Sequence, residues 1–364
     1  MILRSLVLQH FRNYTQAKFD FDEHMTVVVG PNTAGKTNLT EAIQLLSTGK
    51  SFRGQSDREL IQFEQEIARV QGLIGENELG IRNYELGEGD SSTKLEVVVL
   101  SPEINNGRFG KKFLMNGVGK SRNGFVGHVP VVVFRPEELD IVIAGPSLRR
   151  QFLDDVLQNI DREYYQAIGG YEKALRQRNA LLRLTREMGY KNHEQFAYWD
   201  ELLIRYGSIM HQKRKELIEY FNATQKDVVE FAIIYDHSII SQERLQQYES
   251  EEIASGNTLV GPHRDDFYFL MKDKKSKTRD VKTYGSRGQQ RLVVFQLKLL
   301  QIAYTAEALQ VKPLLVLDDI FSELDTGHIE LVLEKIAGQQ VIMTTTHKEF
   351  LPQNLDIHMI ELKP

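Results

Sequence analysis

Two segments far apart in the chain carry residue types suited to holding a polyphosphate and a divalent cation. Gly30-Pro31-Asn32-Thr33-Ala34-Gly35-Lys36-Thr37 matches G-x-x-x-x-G-K-[ST] in full. Glycines at its two ends let backbone N–H groups curl around a β-phosphate, and a helix starting there adds its positive end. Lys36 is placed to reach the β- and γ-phosphate oxygens, and Thr37 to ligate Mg²⁺; the neighbouring Asn38 is counted with the ATP-binding residues. The second segment, Leu314-Leu315-Val316-Leu317-Asp318-Asp319, is an apolar strand ending in two carboxylates. Beside a P-loop, Asp318 suits Mg²⁺ or its water, and Asp319 suits a general base that polarises an attacking water. Lys36, Asp318 and Asp319 are therefore the expected catalytic set.

A third element separates the P-loop classes. Tyr284-Gly285-Ser286-Arg287-Gly288-Gln289-Gln290-Arg291 lies shortly before the carboxylate strand. Ser286 and the N–H groups of a following helix form an anion site that does not face its own P-loop. In ABC-type ATPase heads such a signature covers the γ-phosphate held by a second subunit, so two heads close on two ATP molecules. A Gly–Ser helix cap is the alternative reading of Ser286 to Gln289. Phe321-Ser322-Glu323-Leu324-Asp325 resembles the D-loop that crosses such a dimer seam, through Ser322 and Asp325. Thr344-Thr345-Thr346-His347 falls where ABC-type heads place a γ-phosphate sensor. Thr346 and His347 are the candidates; His347 reads equally well as a surface histidine, so the threonines jointly are preferred.

The elements that must position these groups are legible as patterns. Thr26 to Val29 is a β-branched run of the kind a buried parallel strand needs, and Asn38 to Leu46 has helical spacing. Residues 65–135 read as strand-rich, with Asn116-Gly117 as a hairpin turn and a strand opening after Pro130. From about 147 to 231 the spacing becomes helical: one series from Phe152 to Leu175 and a second from Trp199 to Phe221. Two antiparallel helices of about 35 residues, each about 50 Å long, are expected. The α/β pattern returns afterwards. This predicts an α/β, ABC-type ATPase head with a mixed sheet and helices, formed by 1–146 and 236–364, and an inserted helical arm at 147–235.

Composition narrows the classes further. The 364 residues are enough for one large domain with an insertion, and their 41% hydrophobic and 26% charged content is that of a globular protein. There is no cysteine, which excludes thiolate metal sites, disulfides and a cysteine nucleophile. No apolar run of about 20 residues is evident, so no membrane association is expected. A formal net charge of −5 argues against a globally basic nucleic-acid binder but leaves room for a local basic stripe. Arg53, Arg58, Lys111, Lys112, Lys120 and Arg122 are the candidates for contacting phosphates.

With these motifs goes a run of others in order: Phe11-Arg12-Asn13-Tyr14, Lys50-Ser51-Phe52-Arg53, Phe134-Arg135-Pro136-Glu137-Glu138-Leu139, Gly145 to Asp154 and Gly261-Pro262-His263-Arg264-Asp265-Asp266. Across essentially its whole length the chain resembles the RecF family of bacterial DNA repair proteins, relatives of the SMC proteins. The resemblance implies a cytoplasmic, weakly DNA-dependent ATPase with ATP and Mg²⁺ as cofactors. It implies an ATP-dependent homodimer that clamps gapped or double-stranded DNA without sequence preference, in replication, recombinational repair and the SOS response. It also implies RecR as partner and, through it, RecO and the loading of RecA. Arg12 and Asn13 would touch the base or ribose. The chain departs from the family at Thr33-Ala34, Arg135 and Arg287, and Asp319 stands where most ABC heads carry glutamate, which suggests slow turnover.

Other P-loop classes fit less well. A transporter ATPase has a much shorter gap between P-loop and signature, and a metabolic kinase lacks the Ser286–Gln289 segment. An ABC-type nuclease would need a catalytic domain after Asp325. The role of Gly261–Asp266 stays open between structure and function.

Overall fold

The computed structural model describes residues 1–53, 57–75, 92–272, 276–320, 334, 336, 338–346 and 357–363. In chain order the head of the sequence runs β1 (Ile2–Phe11), β2 (Tyr14–Asp20), β3 (Met25–Val29), α1 (Lys36–Thr48), β4 (Ile67–Gly75), β5 (Thr93–Leu100), β6 (Gly110–Met115), β7 (Val118–Lys120), α2 (Arg122–Phe125) and β8 (Val131–Phe134). Then come α3 (Pro146–Ile160), α4 (Arg162–Met188), α5 (His193–Ala223), β9 (Ala232–Asp236), α6 (Gln242–Gln247), α7 (Glu249–Ser255), β10 (Asp266–Lys272) and β11 (Thr278–Asp280). The chain closes with α8 (Val281–Tyr284), α9 (Arg287–Leu309), β12 (Leu314–Asp318), β13 (Val341–Thr345) and β14 (His358–Glu361).

Contacts divide the chain into two compact units, Met1–Glu138 with Gln301–Pro364, and Leu139–Leu300. In the first unit five parallel strands are ordered β14-β3-β13-β12-β8, and six antiparallel strands are ordered β2-β1-β4-β5-β6-β7. β12 is buried along its whole length, as its unbroken apolar run requires. Asn116 and Gly117 both have positive φ, 49° and 79°, so the β6–β7 turn is of the tight type that matches strand twist. Leu6 and Leu8 of β1, Val70 of β4, Val97 of β5 and Phe113 of β6 pack with Leu39, Ile43 and Leu46 of α1 and with Val28, Val316 and Ile342. α1 thus buries residues on nearly all sides, including Lys36, Thr40 and Glu41.

The second unit is wider than the 147–235 segment read from helical spacing, because β9, β10 and β11 form a three-stranded sheet within it. The first helical series is also two helices rather than one. Asp161 leaves helical geometry and caps α4, accepting from Tyr164 N at 2.9 Å. α4 and α5 are antiparallel: Tyr164 meets Arg214, Gly170 meets Tyr206 and Arg178 meets Asp200. β10 and β11 pair antiparallel on either side of the polar Lys272–Lys277 stretch, of which 273–275 lie outside the described residues.

The Gly261–Asp266 motif is the polar centre of this unit. Arg214, 1% exposed, donates to Asp154 Oδ1 at 2.7 Å, Asp265 Oδ2 at 2.9 Å and the Pro262 carbonyl at 2.8 Å. Asp265 also accepts from Tyr235 and from Ser238 N, and Asp266 takes two bonds from Arg149 at 2.6 and 3.0 Å. Gly261 has φ 119°, and a Cβ there would lie 2.3 Å from the Tyr171 hydroxyl. A buried charge needs full pairing, and these bonds give the motif a packing role in this unit.

No apolar run of about 20 residues is evident in the sequence, but α9 supplies a helix long and apolar enough to be compared with one. By length and composition Arg287–Leu309 could cross a membrane. Val293, Val294, Phe295, Leu297 and Leu300 are instead buried in the protein, together with the polar Gln296 and Lys298. That is the burial of a core helix.

Candidate nucleotide-binding site

The P-loop joins the C-terminal end of β3 to the first turn of α1. Gly35 has φ 101°, and a Cβ on it would sit 2.7 Å from the Tyr14 hydroxyl and 2.8 Å from Asn13 Nδ2. Only glycine can hold this turn while neighbouring side chains press on it. Thr33 takes positive φ too, at 76°. Lys36, 7% exposed, lies over the loop and donates to the carbonyls of Gly30 at 2.6 Å and Pro31 at 2.9 Å. Burial pushes its pKa below the usual lysine range, and the carboxylates of Asp319 and Asp318 oppose that shift by favouring the ammonium.

The carboxylate strand is not the P-loop strand's immediate neighbour. β13 lies between β3 and β12, and it supplies the link. Thr344 Oγ1 donates to Asp318 Oδ1 at 2.6 Å, while Thr40 Oγ1 of α1 lies 3.3 Å from Asp318 Oδ2 and donates to the Thr37 carbonyl at 2.9 Å. Asp318 is 3% exposed. Asp319 follows with φ 52°, its N–H donating to Thr344 at 3.1 Å. The three strand ends thus bring Lys36, Thr37, Asp318 and Asp319 to one edge of the parallel sheet, where ligands of such sheets bind.

The donor set fits Mg²⁺. It is all oxygen, one buried carboxylate and a threonine of the helix start, and Mg²⁺ is usually held by one or two carboxylates with substrate phosphates and waters. No group of three or more metal-ligating acids and histidines exists among the described residues, as suits an ion that arrives with its phosphates.

Around the loop sits a ring of polar contacts that sequence reasoning missed. Glu41, fully buried, receives two bonds from Arg12 at 2.8 and 2.7 Å and one from Ser51. Arg53 lies 3.8 Å from Glu41 and donates to Asn38 Oδ1 at 2.7 Å; Asn38 donates to Asn13 at 2.8 Å. Arg135 stacks 4.3 Å from the Phe52 ring centre. Arg53, a candidate for contacting DNA phosphates, is therefore brought together with the nucleotide-site candidates Arg12, Asn13 and Asn38. The signal for Glu41 was faint: one glutamate in a helix otherwise rich in apolar residues.

The remaining candidates fall out differently. Ser286 N donates to Gln289 Oε1 at 2.9 Å and Gln289 N to Ser286 Oγ at 3.3 Å, a capping box on α9, so Arg287, Gly288 and Gln289 form the first helical turn. The helix-cap reading thus describes this segment in the chain by itself; all four residues are exposed. Thr346 follows β13 and is half-buried; His347, Ser322 and Asp325 lie outside the described residues. Among the basic candidates, Lys111 is held by Asp57 at 2.6 Å, and Arg122 donates to the Thr48 carbonyl. The pairing of β6 with β5 and β7 puts Lys111 and Lys120 on the same sheet face as Phe113, and Lys112 on the other. The three lysines are therefore split between the two faces of one sheet.

A family model described as the RecF/RecN/SMC N terminal domain matches residues 2–362. The chain belongs to the RecF family. RecF-family relatives include the DNA replication and repair protein RecF of Moorella thermoacetica, 36% identical over 97% of this chain and 92% of that one. The RecF of Bacillus cereus is 32% identical over 95% of this chain and 92% of its own. Among solved structures, the recombination mediator protein RecF with ATP in the RecFOR pathway superposes with TM-score 0.83 at 30% identity, over 99% of this chain and 95% of that one. An Smc head domain from Pyrococcus furiosus matches at TM-score 0.52 and 15% identity, which is a likeness of fold. This RecF-family chain therefore has the mixed α/β architecture of the ABC-type ATPase head.

Proposed function

We propose that the chain binds Mg²⁺-ATP at Gly30–Asn38 and acts as an ATP-gated, DNA-binding protein of recombinational repair. The observation that carries this is the convergence of Lys36, Thr37 and the Thr344-anchored Asp318 at one sheet edge. Lys36 and the loop amides hold phosphate oxygens, and Thr37 and Asp318 hold Mg²⁺, which supplies charge neutralisation on the phosphates. Asp319 accepts the proton of the attacking water; being shorter than glutamate, it suits slow turnover. Arg12 and Asn13 line the nucleotide at the base or ribose, and the sensor of its γ-phosphate is assigned to the Thr344–His347 segment, the threonines in preference to His347.

In this reading two copies close on two nucleotides. Ser286–Gln289 of one copy covers the γ-phosphate of the other, with Ser322 and Asp325 at the seam. The family relationship and the RecF–ATP likeness support it. Closed dimers hold gapped or double-stranded DNA through phosphate contacts without reading sequence, with Arg53, Arg58, Lys112 and Lys120 the exposed basic candidates. The helices within 147–235 are read as the inserted arm. RecR is the expected partner, with RecO and RecA acting after it in the cytoplasm.

Sedimentation of the purified chain with Mg²⁺ tests this. A monomer that dimerises on adding ATP and then co-sediments with gapped duplex is expected, and Ser286→Arg should bind ATP but stay monomeric. A Ser286→Arg protein that still dimerises with ATP would rule out the signature in trans.

A further inference from the structure

We infer that Glu41 is a positioning residue of the nucleotide site, setting Arg12 and the 50–53 loop against the P-loop through one buried carboxylate. The inference rests on the nucleotide-binding reading above and adds a residue to it.

Glu41 sits in α1, little more than a turn beyond Lys36, and is 0% exposed because both sheets flank that helix. An unpaired carboxylate there would be strongly disfavoured. Its charge is met by Arg12 in a two-pronged contact at 2.7 and 2.8 Å, by the Ser51 hydroxyl, and more distantly by Arg53 at 3.8 Å. Bidentate guanidinium–carboxylate pairing fixes orientation as well as distance. Arg12 has the further constraint of positive φ, 53°, and its N–H bonds the Leu60 carbonyl.

These contacts close on the P-loop. Arg12 is followed by Asn13 and Tyr14. The Tyr14 hydroxyl donates to the Gly35 carbonyl at 3.1 Å, and Asn13 accepts from Asn38, which accepts from Arg53. The ring therefore runs Glu41, Arg12, Asn13, Asn38, Arg53 and back to Glu41. Arg12 and Asn13 come from the β1–β2 turn, Arg53 from the 50–53 loop, and Asn38 and Glu41 from α1. A single carboxylate thus couples the β1–β2 turn and the 50–53 loop to the start of α1. Removing it would leave Arg12 with Glu59, at 3.3 Å, as its remaining carboxylate and Arg53 with Asn38, so both guanidinium groups would lose the buried anchor that orients them toward the P-loop.

A double-mutant cycle with a fluorescent N-methylanthraniloyl-ATP and Mg²⁺ tests this on full-length protein, each variant first checked for cooperative thermal unfolding. Glu41→Gln and Arg12→Gln should each raise the nucleotide Kd about tenfold, and the double variant should be no weaker than either alone, because they break one unit. Glu41→Asp keeps the charge on a shorter stem that cannot reach Arg12 in the same two-pronged way, and should raise the Kd about threefold, between wild type and Glu41→Gln. An unchanged Kd in Glu41→Gln, or a double variant about a hundredfold weaker, would overturn the inference. Should Glu41→Gln not fold, Glu41→Asp carries the test: a Kd raised about threefold supports the inference, and an unchanged Kd overturns it. Wild-type protein that fails to bind the probe would instead overturn the nucleotide reading.

Discussion

Thr344 donates a 2.6 Å hydrogen bond to the buried carboxylate of Asp318, and the same Thr344 accepts from the backbone N–H of Asp319. One side chain on the strand between P-loop and carboxylate strand therefore orients both acidic residues. A hydrogen bond to a charged group contributes about 1.5–3 kcal/mol. Thr344→Val keeps the shape and deletes the hydroxyl. ATP turnover should fall about tenfold while ATP affinity changes less than about threefold, since Lys36 and the loop amides are untouched. Steady-state hydrolysis beside equilibrium nucleotide binding reads this, and an unchanged turnover would contradict it.

His263 gives the helical unit an acid sensitivity. Its Nε2 faces the Thr258 carbonyl at 3.0 Å, so that nitrogen carries the proton, and Nδ1 accepts from the Tyr171 hydroxyl at 2.7 Å. Burial first, then nearby arginines, push its pKa down to about 4 from an ordinary 6.5. The unfolded chain thus takes up the proton before the folded one. The stability from keeping His263 neutral is full above pH 6.5 and is lost progressively as pH falls toward 4, on the order of 3 kcal/mol in all. Thermal unfolding of wild type should drop more steeply between pH 7.5 and 5 than that of His263→Gln. Parallel curves would contradict this.

Arg214 neutralises Asp154 and Asp265 together at the base of α4 and α5. Replacing it by Met leaves two carboxylates without their cation, one of them 1% exposed, a change that costs about 3–5 kcal/mol. Arg214→Met should lower the urea midpoint of the 139–300 unit, followed by the fluorescence of Trp199, with little effect on Mg²⁺-ATP affinity. A midpoint equal to wild type would show that the network is not needed for stability.

How much of this was legible in the sequence depends on how local each constraint is. The P-loop was readable because its glycines, lysine and threonine act within eight consecutive residues. β12 was readable because a strand buried on both faces must be apolar throughout. Glu41 was not, since its burial follows from two sheets closing on α1 and its partner Arg12 comes from the β1–β2 turn. Asp161 was missed as a helix break because the apolar spacing continues across it, while its side chain caps the next helix. Gly261–Asp266 was visible as a motif but not as a core, since Arg214, Arg149 and Tyr171 reach it from helices far away in the chain. The capping pair Ser286 and Gln289 shows the converse: the same residues satisfy a local rule and a proposed intermolecular one.

The central claim is that Lys36 and its loop bind Mg²⁺-ATP, and isothermal titration of ATP into wild type and Lys36→Ala in Mg²⁺ buffer tests it most directly. The account predicts one saturable site per chain in wild type, weakened at least about a hundredfold in Lys36→Ala, as loss of a charged contact to the phosphates requires. Equal binding by the two proteins, or none by wild type, would contradict it.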